Sequence, residues 1–351
     1  MREASALLGL VRIDGLGAQR ITKLIDYFGS ARAILWASAR ELHEAGVPPQ
    51  IISGIVQQAR HDNDAEYELI TQKGITIVGM HDPHYPSLLA QIANPPLILF
   101  VRGSMAAFGQ RSVAIVGTRK PSGYGVDITR RLAHDLAHQD VSIVSGLAAG
   151  IDAIAHEYSL LGGGQTIAVL PSGVDLIYPE RNRWLANKIL TSRGSALVSE
   201  FYPGTKALPP LFPARNRLIS GLAQGVIVSE AGEKSGALIT VKAALEQGRE
   251  VMAVPGSVFS EQSAGCLELL RQGATPVRNA HDVCESLGYA IHAPAELTDP
   301  LLQLLQVPRH IDELCRILMR TPADMLGELL MRELRGEVSD QGQGFFVWRR
   351  Q

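Results

Sequence analysis

Between about residues 70 and 288 the chain alternates short runs of Val, Ile and Ala with longer amphipathic stretches, and this alternation restricts the possible folds more than any other feature. Strands are expected at Ile75–Val78, Leu97–Val101, Val113–Val116, Val141–Val144, Thr166–Leu170, Ala196–Val198, Val226–Ser229 and Glu250–Val254. Most of the gaps between them are long enough for the helical crossovers that parallel strands require. Several runs are uniformly apolar, so helices should cover both faces of the sheet. The expected fold class is α/β with a mostly parallel sheet. Ligands in such folds sit beyond the carboxyl ends of the strands.

The flanks read differently. Residues 1–65 carry short helical patterns (Leu7, Leu8, Leu10, Val11; Ile21, Leu24, Ile25; Ile51, Ile52, Ile55) broken by Gly and Pro, and suggest a small helical domain. Its first turn, Ile13-Asp14-Gly15-Leu16-Gly17, resembles a helix-hairpin-helix or SAM-like unit, which can cradle a nucleic-acid phosphate; equally, the glycines simply end a helix. The α/β region is expected over 66–288 and a Pro-containing linker over 289–300. Residues 301–351 then offer helices at Leu301–Leu305, Ile311–Met319 and Ala323–Arg335, a Gly-rich turn and the strand Phe345–Trp348, a winged-helix-like pattern. Residues 295–351 hold 7 Lys plus Arg against 9 Asp plus Glu, which suits a protein partner at least as well as phosphate.

Overall charge is no guide to a polyanion. With 33 Lys plus Arg against 35 Asp plus Glu, any anion site must be local. A 46% hydrophobic, 19% charged composition excludes a disordered chain. No apolar run approaches a membrane span, and the start lacks the features of a secretory signal. Cys266, Cys284 and Cys315 have neither metal spacing nor an even count, and a cytoplasmic location is expected.

Four strand-to-helix junctions could hold an anion. After Val116 come Gly117, Thr118, Arg119 and Lys120, a glycine allowing close approach followed by two cations. Ser145 and Gly146 open the Gly-containing turn to Asp152, where free amides and a helix dipole would favour phosphate; tight packing by small residues is the alternative. Arg215, Asn216 and Arg217 follow a Pro-rich stretch at the expected start of a helix, where an external anion would explain the cations. Ser235 and Gly236 precede a further helix with Lys242 one turn on, although simple capping explains them too. Arg119 and Lys120 are also readable as two solvated cations in a surface loop.

Other signals fail. There is neither a G-x-G-x-x-G fingerprint nor a P-loop, so no dinucleotide or nucleotide cofactor is indicated. His134 and His138 have helical spacing but no third metal ligand, and no nucleophile elbow appears.

The order of motifs resembles the DNA-processing protein A family (DprA, also called Smf). The resemblance runs from Tyr85–Leu89 through Val113–Arg119, Ser145–Asp152, Ala155-His156, Thr166–Leu170, Tyr178-Pro179, Asn182 and Phe212–Ile219 to Ser235-Gly236 and Val254–Gly256. It implies a Rossmann-like core that binds single-stranded DNA, a homodimer made through that core, loading of the RecA recombinase during natural transformation, and no catalytic turnover or cofactor. By motif, Gly117, Arg119, Ser145, Gly146, Arg215, Asn216, Arg217, Ser235 and Gly236 would line the DNA pocket, with Lys242 beside them. Two departures stand out: Leu267 follows Gly265-Cys266 where the family pattern has Asn or His, which removes a polar group near the expected pocket, and Pro171-Ser172 replaces a Gly-rich turn, which should stiffen that loop.

Two other functions compete with this one. A nucleotide phosphoribohydrolase of similar architecture would need a Pro-Gly-Gly-x-Gly-Thr-x-x-Glu motif, but the third residue after Thr240 is Ala243. A protein scaffold would leave the anion loops empty.

Overall fold

The computed structural model describes residues 2–109, 111–291, 299–305, 307–334 and 337–348. The chain divides into two compact units, Met1–Tyr289 and Ala290–Gln351.

The first unit begins with six helices: α1 (Glu3–Leu10), α2 (Ala18–Phe28), α3 (Ala31–Trp36), α4 (Ala39–Glu44), α5 (Pro49–Ala59) and α6 (Asn63–Gln72). Local chemistry sets their ends. Gly29, with φ of 87°, closes α2 in the left-handed region, and Ser38 and Glu41 form a reciprocal cap on α4. The turn from Ile13 to Gly17 does join two helices, and Gly15 takes a φ of 78°. The inward faces of these helices (Leu8, Ile21, Ile34, Ile55) share one apolar cluster with Ile77 and Phe100 of the sheet. The helical segment and the sheet edge therefore bury each other.

The sheet holds β1 (Thr76–Gly79), β2 (Ile98–Gly103), β3 (Ser112–Val116), β4 (Ser142–Ser145), β5 (Thr166–Val169), β6 (Ala196–Ser199), β7 (Gly225–Val228), β8 (Glu250–Ala253) and β9 (Thr275–Pro276). Among the described residues its order is β1-β2-β6-β5-β4-β3-β7-β8-β9. From β6 to β9 every pairing is parallel; β1 with β2 and β2 with β6 are antiparallel. All eight expected strands are present. The two-residue β9, which carries a proline, was not expected, being too short to leave a pattern.

The helices between and after the strands are α7 (Ser87–Ala90), α8 (Gly123–Ala137), α9 (Ile151–Leu161), α10 (Arg183–Thr191), α11 (Leu211–Gly221), α12 (Ala237–Glu246), α13 (Ala264–Arg271) and α14 (Ala280–Ser286). Both faces are covered, as uniformly apolar strands require. Ala114 and Val116 pack with Leu218 and Val241 on one side, while Val113 and Ile115 pack with Leu132 and Val283 on the other. The chain leaves β3 towards β4, β5 and β6 and returns to β7 on its other side, so the switch point of this Rossmann-like sheet lies between β3 and β7.

The second unit contains α15 (Pro300–Leu304), β10 (Arg309–His310), α16 (Ile311–Leu318), α17 (Pro322–Leu334), β11 (Val338–Gly342) and β12 (Phe345–Trp348). Its small antiparallel sheet has the order β10-β12-β11, and Leu301, Leu314, Met325, Leu329, Val338 and Phe346 form its core. Strand β10 adds to the helices and hairpin expected there. Of the expected linker, 292–298 lies outside the described residues, as do Arg335 at the end of the third expected helix and Gly336 after it.

Candidate functional site

A cleft of about 100 Å³ opens beyond the carboxyl ends of β3, β4 and β5, with Arg119, Gly146, Tyr178, Arg181, Phe212 and Arg215 in its lining. Its first wall is the turn after β3. An ideal Cβ on Gly117 would lie 2.6 Å from Ile151 Cγ1 and 2.8 Å from the Glu230 carbonyl oxygen, so only glycine lets α9 and the β7 loop close in. Thr118 N–H donates to that same carbonyl at 2.8 Å, and Ile151 N–H donates to Thr118 O at 3.2 Å. With its backbone pinned, the turn projects the exposed Arg119 outward, and the guanidinium lies 5.7 Å from the centroid of the Phe212 ring. Phe212 in turn meets Tyr178 edge to face at 5.6 Å. Exposed Arg181 adds a second cation to the rim.

The far end of the β3 turn is anchored by a buried carboxylate. Glu230 accepts from Ser122 N–H at 2.8 Å and Ser122 Oγ at 2.5 Å, while Ser122 Oγ accepts from Gly125 N–H at 3.1 Å and caps α8. The negative charge sits at a helix N-terminus, where the dipole favours it.

The floor is the turn from Ser145 to Gly150, and it is braced from below. Asp152 accepts from Gly146 N–H at 3.1 Å and Ala148 N–H at 3.4 Å. His156 Nε2 accepts from Leu147 N–H at 3.3 Å, which leaves Nδ1 as the protonated nitrogen, 2.6 Å from Thr166 Oγ1; that hydroxyl donates to Ile143 O at 2.7 Å. Asn182 donates to the carbonyls of Leu147 at 2.8 Å and Ala148 at 3.2 Å. The free amides expected here are thus a point of correction: those of Gly146, Leu147 and Ala148 are spent on side chains of α9, because a buried turn must satisfy its own backbone. Burial, and then the nearby Arg215 charge, push the His156 pKa down to about 3, so the ring is neutral. Burial raises Asp152, opposed chiefly by Arg215.

Arg215 completes the floor from above. Only 3% exposed, it donates through Nη1 to Gly146 O at 2.5 Å and also to Val169 O, while Nε donates to Asn216 Oδ1 at 3.2 Å. Burial is the main cause lowering its pKa to about 10, and it remains a cation at neutral pH. An ideal Cβ on Gly146 would lie 2.5 Å from Arg215 Nη1, so that glycine is what admits the guanidinium.

The remaining expected site residues are scattered. Ser145 is buried and donates to Ile115 O at 2.6 Å. Arg215 and Arg217 lie within α11, beyond its first turn, and do not converge: at about 100° per residue they point to nearly opposite sides of the helix, roughly 160° apart. Arg217 pairs instead with the largely buried Glu200, whose pKa burial raises against the pull of that arginine. Ser235 Oγ accepts from Ala237 N–H at 3.3 Å, Gly236 is the exposed N-cap of α12, and Lys242 is exposed 4.0 Å from Glu246. The cleft therefore unites Arg119, Gly146 and Arg215, whereas Ser235, Gly236 and Lys242 belong to the β7–α12 junction. Sequence reasoning did not single out Tyr178, Arg181 or Phe212 as site residues. An aromatic-cation spacing in the loop after β5 is the signal that points to the first two.

Among the described residues no group of three His, Cys, Asp or Glu could hold a metal ion, and no helix is long and apolar enough to cross a membrane. His134 and His138 stack edge to face at 4.6 Å.

Comparison with known proteins yields a consistent set of likenesses. The family model for DNA recombination-mediator protein A matches residues 76–288. DNA processing protein DprA of Bacillus subtilis (strain 168) is 43% identical over 217 residues, 62% of this chain and 72% of that protein. The X-ray structure of DNA processing protein A from Streptococcus pneumoniae superposes with a TM-score of 0.70 at 33% identity, covering 82% of this chain and 99% of that one. DNA processing protein A from Helicobacter pylori, whose structure was described for its single-stranded DNA binding mode, matches with a TM-score of 0.56 at 30% identity, over 62% of this chain and 97% of the other.

Proposed function

Because the chain belongs to the DNA recombination-mediator protein A family, we propose that its cleft binds single-stranded DNA and that the protein, without catalytic turnover, shields the strand and loads RecA onto it during transformation and recombination. The observation that carries this reading is the exposed Arg119 guanidinium stacked on Phe212 above a rigid, internally satisfied floor. Arg119, with Lys120 and Arg181, meets backbone phosphates, and the Phe212–Tyr178 pair offers a ring face to a base. Gly117 shapes the wall and Ser145, Gly146 and Arg215 the floor, and Asn216 and Arg217 hold α11 in place. Ser235, Gly236 and Lys242 serve a strand longer than the cleft. The binding mode of the Helicobacter pylori protein supports the assignment of ligand.

The protein acts in the cytoplasm as a homodimer made through its core. Residues 1–65 act as a helical domain, and residues 301–351 form a winged-helix-like module. On α17 of that module Leu326, Leu330, Met331 and Leu334 are exposed, which suits a protein partner better than phosphate.

Affinity for an oligothymidylate, followed by anisotropy over a salt series with a duplex of equal length as competitor, tests the reading. A steep linear fall of log affinity with log salt, with the duplex a poor competitor, is expected. Salt-independent binding, or equal competition by the duplex, overturns it.

A further inference from the structure

A second hollow, of about 350 Å³, lies at the switch point between β3 and β7, bordered by Tyr124 and by the loop that follows β8. Its lining includes Ser122, Ser257, Ser260 and Ser263, together with Glu230, whose two carboxylate oxygens are both engaged by Ser122. In open α/β sheets the switch-point crevice is the usual place for a ligand, yet neither the cleft nor its cations occupy this one.

The loop itself displays an aromatic ring to water. Phe259 is 95% exposed and Val258 75%. The display is structured: Phe259 N–H donates to Ser257 Oγ at 3.3 Å, Ser260 N–H to Ser257 O at 3.1 Å and Ser263 N–H to Ser260 O at 3.0 Å. Two further bonds fasten the loop, one to the start of α8 and one to the turn that carries Arg119. Tyr124 Oη donates to Pro255 O at 2.6 Å, and Gln262 Nε2 donates to Lys120 O at 3.1 Å.

We propose that the strand held at Arg119 continues over the 255–263 loop, where a base stacks on Phe259 and turns its edge towards the serine-lined hollow. The inference rests on the single-stranded DNA reading of the cleft and extends it. The chemistry selects a base over a phosphate: Glu261 is the charged residue of this loop, and it repels phosphate, whereas the ring face and hydroxyls suit an uncharged heterocycle. Two exposed apolar side chains, Val258 and Phe259, amid serines and glycine also make too small an apolar area for a protein-docking surface.

The test uses the full chain, a length series of oligothymidylates, and the variants Phe259→Ser, Phe259→Trp and Arg119→Glu. Phe259→Ser should bind the shortest oligonucleotides like the parent and lose about tenfold in affinity for longer ones. Phe259→Trp should keep parental affinity, with emission quenched only by the longer strands. If Phe259→Ser matches the parent at every length while Arg119→Glu binds weakly, the extended path is wrong and the cleft assignment stands. If Arg119→Glu also matches the parent, the cleft assignment itself fails.

Discussion

Arg215 and Asp152 grip opposite ends of one residue: the guanidinium donates to Gly146 O at 2.5 Å, and the carboxylate accepts from Gly146 N–H at 3.1 Å. Both side chains are buried, and across this single residue each favours the charged form of the other against the cost of burial. The arginine that reads from the sequence as a DNA contact is held inside the protein as a strut.

Replacing it should therefore act on folding first. Arg215→Met leaves the buried Asp152 charge and two carbonyls without their partner, and should cost about 3–5 kcal/mol in denaturant unfolding. DNA binding is then lost in step with the folded fraction. An Arg215→Met protein of parental stability would contradict the strut.

Gly146→Ala probes the same contact from the other side. A methyl group 2.5 Å from Arg215 Nη1 must displace the guanidinium, at a cost of about 1–3 kcal/mol in thermal or chemical unfolding. Affinity for single-stranded DNA should fall as well, because Gly146 lies in the cleft floor.

Arg119→Ala should behave in the opposite way. The side chain is exposed, so stability should change by no more than about 0.5 kcal/mol. A lost charge-assisted phosphate contact should weaken DNA binding by about 1.5–3 kcal/mol and reduce the salt slope by about one. Equilibrium unfolding and a salt titration on the same preparation separate the two effects.

His156 predicts a pH dependence with a definite sign. Its folded pKa, about 3, lies below the ordinary 6.5, so between these values the unfolded chain binds the extra proton and stability rises with pH. Below pH 6.5 the stabilisation from the neutral ring shrinks steadily, and above it is fully present. Asp152, raised by burial, works in the reverse direction above its ordinary 3.8. Comparing the parent with His156→Gln across this range isolates the histidine: the stability advantage of the parent should grow from pH 4 to about 6.5 and then level off.

Much of this architecture was legible in the sequence because buried parallel strands must be apolar on both faces, which writes runs such as Val113–Val116 and Val226–Val228 unmistakably. The exposed position of Arg119 was legible for a different reason: a cation two residues after the glycine that ends the β3 run sits in a strand-end turn, on the surface. The burial of Arg215 was not. It depends on space left by Gly146 and on a carbonyl of Val169, both distant in sequence, and a Pro-rich approach suggested an exposed helix start. The divergence of Arg215 and Arg217, by contrast, follows from helical periodicity once both are placed inside α11. The aromatic pair Tyr178 and Phe212 comes from the loop after β5 and from the first turn of α11, and meets only in the fold.

Photo-crosslinking of a halogenated-uracil oligonucleotide to the full chain, with the modified residues located by mass spectrometry, tests the central claim most directly. Adducts should fall on Tyr178 and Phe212 and should disappear in Arg119→Glu. Adducts confined to 1–65 or to 299–348, or adducts that survive that substitution unchanged, would contradict it.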